Sequence, residues 1–291
     1  MALLPIAAVQ KAMGRIAPLN LAAAWDNVGL LLESPIVNPA ARRILLTIDL
    51  TPAVLAEALA IKPGQTPTAV IVSYHPPIFS ALKSLTLLNP LQRSLLTCAA
   101  NGISVYSPHT SLDITKGGIN DWLTEAVWDT QSSTGNRVAY DDIGKIKITD
   151  DGQQFGEGKL MTFEKPIQGG LDRFAAMLKN SLDLEHVQLA RSPSGPTDIK
   201  TVAICAGSGN SVIGRTPADV YLTGEMAHHD VLAATASNTH VILCGHTNTE
   251  RPYLPKLKKR LEEELKKDQP GATGVLQVAI SEADAHPLTI A

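Results

Sequence analysis

Six side chains able to bind a metal ion or carry a proton follow apolar runs of this chain. His75 stands in "SYHPPIF", His109 and Asp113 in "SPHTSLD", Glu225 in "TGEMAHHDVL", and His246 and Glu250 in "CGHTNTE". Imidazoles and carboxylates together are the donor set that Zn²⁺, Fe²⁺ and Mn²⁺ accept. Such an ion lowers the pKa of a bound water to about 7, which makes hydrolysis available at neutral pH. The spacing His246-x-x-x-Glu250 puts two donors on one side of a single turn. Pro252 disfavours helix at Arg251, so a loop would serve there as well. Taken singly, each residue is an ordinary loop residue. The case rests on where all six fall.

The elements that must position them alternate along the chain. "RILLTIDL", "TAVIVS", "ISVYS", "TVAICA", "DVYLT" and "HVILC" read as strands. Between them lie helices, among them one opened by Thr51-Pro52 and one capped by Asn89, begun by Pro90 and ended at Gly102. Near-continuous apolar strands alternating with helices predict an α/β fold of mostly parallel sheets flanked by helices. All six candidates lie just past the carboxyl ends of these strands, the edge at which open α/β sheets take ligands. The amino ends carry mostly Arg43, Thr68, Thr201 and His240. Pro76 and Pro77 lock the backbone directly after His75, so that strand holds an imidazole in one place.

The middle of the chain is different. "IGKIKIT", "KLMTF" and "HVQLARS" read as shorter strands, separated by the turn-forming "DDGQQFGEG" and the helix "GGLDRFAAMLKNSLDL". The expected organisation is lobe one over about residues 1–130, a middle segment over 131–200 and lobe two over 201–291. In the last helix Leu254, Leu257, Leu261 and Leu265 form the apolar stripe, with Lys and Glu as a solvated face. The strand "GVLQVAI" follows it.

A net charge of −3 argues against a general nucleic-acid or membrane surface. No apolar run approaches the length of a membrane span. Cys98, Cys205 and Cys244 lie in apolar runs without a CxxC pair, and read as reduced core thiols of a reducing, cytoplasmic compartment. The first twenty residues carry Lys11 and Arg15 with no acid before Asp26, the pattern of a mitochondrial presequence. Ile6, Val9, Met13 and Ile16 at helical spacing favour an ordinary first helix instead. "CAGSGNS" could present backbone N–H groups to a phosphate, though a tight turn is the better reading. Of His228 and His229 on a predicted helix beginning near Glu225, at most one can face the sheet edge. No nucleophile elbow, Walker A loop or GxGxxG fingerprint occurs.

"WDNVGLLLES", "SYHPPIF", "SPHTSLD", "TGEMAHHDVL" and "CGHTNTERPYL", in that order, resemble the Ngg-interacting-factor-three-like family, also called GTP cyclohydrolase I type 2. The resemblance runs from the first helix to near the C-terminus. It implies an α/β protein of two pseudo-similar lobes with a metal cleft between them, assembled as a homo-oligomer, often a hexameric ring. Carried over by position, it implies His75, Asp113, His246 and Glu250 as metal ligands. The family's usual first-strand motif is His-His-Pro, and Tyr74 stands here at the earlier histidine. The expectation is one tightly held divalent ion (zinc, iron or manganese) and a second held weakly if at all.

Two functions compete on this reading. The first is a metal-dependent hydrolase of a phosphate ester, nucleotide or cyclic amide, with His109 or Glu225 orienting water or moving protons. The second is a non-enzymatic oligomeric regulatory protein that binds other proteins, in transcription for example.

Overall fold

The computed structural model describes residues 4–132, 136–149, 152–268 and 275–290. Residues 1–3 of the presequence reading, Asp150 and Asp151 of the expected turn, and Gly274 before the last strand lie outside them. The chain forms two compact units, residues 1–112 with 253–291, and residues 113–252.

The first unit opens with α1 (Pro5–Ile16), β1 (Gly29–Leu32), β2 (Arg43–Thr47), α2 (Pro52–Leu59), β3 (Thr68–Ser73), α3 (Pro90–Ala100) and β4 (Ser104–Ser107). The short helix α4 (His109–Ile114) carries the chain onward. The second unit contains α5 (Ile119–Ser132), β5 (Val138–Ile148), β6 (Gln154–Ile167), α6 (Gly170–Leu182), β7 (Gln188–Ala190) and β8 (Ile199–Ser208). It continues with α7 (Asn210–Ile213), β9 (Val220–Glu225), α8 (His228–Ala236), β10 (His240–Leu243) and a 3₁₀ turn over His246–Thr249. The chain then returns to the first unit with α9 (Leu254–Asp268) and β11 (Gln277–Ile280).

The first unit's sheet has the order β1-β4-β3-β2-β11 and is parallel except for the β1–β4 pair. Every residue of β2, β3 and β4 is buried, as strands covered on both faces must be. β11 lies beside β2 rather than with the 201–250 strands, so the expected second lobe ends near Pro252. The local signals acted as read. Thr51 accepts the Val54 N–H, Asn89 accepts the N–H groups of Leu91 and Gln92, and Gly102 takes a left-handed turn at φ 78°. Ile6, Val9, Met13 and Ile16 of α1 are all buried. The charged face of α9 is more than solvated, because Arg15 pairs with Glu264 and Asp268, and Lys11 with Asp268.

The second unit's sheet, β5-β6-β8-β9-β10-β7, is parallel only at its centre, β8-β9-β10. The expected "mostly parallel" character therefore holds for one sheet and not for the other. The middle segment is also no separate piece, since β5, β6 and β7 belong to this same sheet. β5 and β6 form a hairpin of 11- and 14-residue arms, and "QFGEG" is strand, not turn. Glycine marks close backbone approach here. A Cβ at Gly156 would lie 2.7 Å from the Ile143 backbone, at a register shift in the hairpin.

Candidate metal centre

In the first unit, β2 and β3 run in parallel past their formal ends. The N–H groups of Tyr74 and His75 donate to the carbonyls of Thr47 and Ile48. This keeps the backbone regular up to His75, and Pro76-Pro77 then stop it. Asp49, just past β2, lies beside the ring, with its Oδ1 2.9 Å from His75 Nδ1. The Ser107 hydroxyl at the end of β4 and the His109 N–H at the start of α4 both donate to the Tyr74 carbonyl. The His75 and His109 rings are thereby set 5.5 Å apart between centroids, edge to face.

A carboxylate orients His109 as well. Its Nδ1 lies 2.7 Å from Asp26 Oδ1, and the Thr110 backbone N–H and hydroxyl both donate to Asp26 Oδ2. Burial of Asp26 pushes its carboxyl up, but the hydrogen bonds from His109 and Thr110 hold it below its ordinary value. His109 itself sits at φ 33°, a left-handed conformation that a non-glycine residue adopts only when its surroundings impose it.

In the second unit, Glu225 ends β9 and His246 opens the 3₁₀ turn after β10. His246 stands between two carboxylates. Its Nδ1 is 3.1 Å from Glu225 Oε1, and its Nε2 is 3.2 Å from Glu250 Oε1. Two donors on one tetrahedral ion, each at about 2.0–2.1 Å, lie about 3.3 Å apart, so this spacing suits a shared metal. Glu250 is buried. The His246–Glu250 pair thus occupies one side of a turn, as its spacing predicts.

Two glycines make room for the pair. A Cβ at Gly207 (φ 63°) would lie 2.7 Å from Glu250 Oε1 and 3.1 Å from His246 Nε2. One at Gly224 would lie 2.7 Å from His246 Cα. The "CAGSGNS" segment is not the expected tight turn: Cys205–Ser208 end β8 and Asn210 begins α7, and two of its N–H groups are already used. The Gly207 N–H donates to Thr249 Oγ1 and the Gly209 N–H to Thr223 Oγ1. Asp113 belongs to this unit too. The Cys205 thiol is pushed far up by burial and then by the negative charges of Asp113, Glu157 and Glu250, so Asp113 and Glu250 act on the same neighbourhood. His228 and His229 are both exposed on α8, which begins three residues past Glu225.

The orienting carboxylates Asp26 and Asp49 escape a reading built on histidines. Both had a signal. Asp49 follows the strand next to the one carrying His75, and Asp26 stands in "WDNVGLLLES".

The family model for Duf34/NIF3 (NGG1p interacting factor 3) matches residues 5–287. The chain belongs to the DUF34/NIF3 family. Among its NIF3 relatives, the "Protein NIF3 homolog" of Schizosaccharomyces pombe is 40% identical, over 93% of this chain and 92% of that one. The "NGG1-interacting factor 3" of Saccharomyces cerevisiae is 35% identical, over 92% and 90%. The NIF3 fold is also seen in solved structures. The Staphylococcus aureus protein SA1388 superposes over 98% of this chain and 99% of its own, with TM-score 0.75 and 22% identity. Reduced HcgD from Methanocaldococcus jannaschii covers 93% and 94%, with TM-score 0.66 and 22% identity. At such identities the likeness is one of fold.

Proposed function

We propose that the protein is a metal-dependent hydrolase whose ion is held by His75, Asp113, His246 and Glu250. One observation carries this reading. His75, His109 and His246 each have Nδ1 against a carboxylate oxygen, at 2.9, 2.7 and 3.1 Å. A carboxylate there keeps the proton on Nδ1 and the lone pair on Nε2, the arrangement found around metal-ligating histidines. Imidazoles with carboxylates suit zinc, iron or manganese. When bound, such an ion would activate water and polarise the bond to be cleaved.

The remaining roles follow from contacts within each unit. Asp49 fixes the His75 ring and Glu225 the His246 ring, which makes both positioning residues. His109, backed by buried Asp26, is suited to hold or move a proton at Nε2. Substrates in keeping with this chemistry are phosphate esters, nucleotides and cyclic amides. Tyr74 restricts the site to one tightly held ion, because a phenol must lose a proton near pH 10 before it can coordinate.

We further propose a homo-oligomeric state, most simply a closed hexameric ring. Three buried free thiols suit a reducing compartment, the cytoplasm. Among the described residues no helix is long and apolar enough to cross a membrane.

The test of the hydrolase reading is a substrate panel run on protein of measured metal content. Turnover that disappears in His246→Ala supports it. Tight metal without turnover on any panel member favours a second reading, a non-enzymatic binding protein. What speaks for that one is the yeast relative's name, which is that of an interacting factor.

A further inference from the structure

The second unit holds a cleft of about 790 Å³ that the metal centre does not use. α5 forms one wall, and the β5–β6 hairpin the other. Three aromatic side chains face it, Trp128 from α5, Tyr140 from β5 and Phe155 from β6. Trp128 is anchored from behind, packed with Val138 against the unit's main core. Tyr140 is 64% exposed and offers its ring to whatever enters. A volume of this size suits a small molecule of one or two rings.

The charges in the cleft decide what kind. Lys159 is 2.6 Å from Asp121 Oδ1 and 2.6 Å from Asp142 Oδ1, so its cation is already spent on bridging the walls. Asp121 also accepts the Gly117 N–H. With Glu125 and Lys116, both exposed, the lining carries three carboxylates against two amines. An anion would meet an excess of negative charge, and the buried cation among the described lining residues, Lys159, is already paired. A cation would meet aromatic faces and carboxylates together, the two groups that attract it most.

We propose that this cleft binds a flat, positively charged nitrogen heterocycle, stacked on Tyr140 and drawn by the one net negative charge that the Asp121–Lys159–Asp142 cluster carries. It is a site apart from the metal centre.

Three probes share one ring system and differ in charge: cationic 1-methyladenosine, neutral adenosine and anionic AMP. Calorimetric titration of the full chain should show saturable binding in that order of affinity. His246→Ala, which disables the metal centre, should leave the 1-methyladenosine affinity unchanged, and the order of the three probes is read in that variant so that AMP held at the metal centre does not count. Tyr140→Ala should weaken 1-methyladenosine about fivefold or more, as loss of one stacking face does, and Tyr140→Phe should restore it. Asp142→Asn should shrink the preference for the cation. The proposal is overturned if 1-methyladenosine shows no saturable binding at millimolar concentration. It is overturned equally if AMP binds His246→Ala as tightly as 1-methyladenosine does, if Tyr140→Ala changes nothing, or if 1-methyladenosine binding vanishes in His246→Ala.

Discussion

Nδ1 of His109 lies 2.7 Å from Oδ1 of Asp26, and the Asp26 side chain is wholly shielded from solvent. A buried carboxylate is costly unless its lone pairs are used, and here His109 and Thr110 use them. Its folded-state pKa lies below the ordinary value. The stabilisation it supplies is therefore complete above the unfolded carboxylate pKa, near 3.8. It is lost as pH falls through the lower folded value. Asp26→Asn should cost about 1.5–3 kcal/mol at neutral pH, the worth of hydrogen bonds to a charged group. The deficit relative to the native chain should narrow in strong acid. Urea denaturation at a series of pH values measures this. A deficit that does not change with pH contradicts it.

Asp49 does for His75 what Asp26 does for His109, from a half-exposed position. Asp49→Ala should leave the fold intact and weaken metal binding about 10- to 100-fold, the usual effect of removing a carboxylate behind a ligating histidine. Competition with a chelator of known affinity gives the number. Unchanged affinity would mean that the prolines alone fix His75.

Gly207 offers a test from the backbone side. An alanine there must hold φ near 63°, at a cost of about 1–2 kcal/mol, and must push Glu250 and His246 away from its methyl. Gly207→Ala should fold with reduced stability and lose metal. Thermal melts and elemental analysis of the same sample should show both losses together.

How much of this was legible beforehand varies with the physics that fixes it. β3, α2 and α3 matched their readings closely because local terms decide them: unbroken β-branched runs, Thr51-Pro52, and Asn89-Pro90 before the helix. The β5–β6 hairpin did not. Its arms are largely exposed on the β5 side and carry glycines where a turn would also use them, so tertiary pairing rather than pattern sets their length. The return of α9 and β11 to the first unit was likewise invisible. Nothing in "GVLQVAI" says which sheet it joins, and the parallel place beside β2 is a long-range choice. The positions of His75, His109, His246 and Glu250 past the ends of β3, β4 and β10 were legible from the strand pattern. Asp26 and Asp49 stood in informative places, but their role was not legible, because an orienting carboxylate is recognised only by the ring it touches.

Tyr74 is buried, with its ring centroid 4.9 Å from His75 and 5.5 Å from His109. It therefore fills space beside the centre with a side chain that does not coordinate at neutral pH. The native chain should carry close to one tightly bound ion, and Tyr74→His should raise that toward two. Native protein that already holds two tightly bound ions would show that the missing imidazole costs nothing.

The central claim is that His246 and Glu250 hold a divalent ion, and metal content tests it most directly. Native protein, His246→Ala and Glu250→Ala are purified alike, checked for intact fold by circular dichroism, and analysed for zinc, iron and manganese. The account predicts about one ion per native chain and a small fraction of that in each variant. Undiminished metal in both folded variants would contradict it.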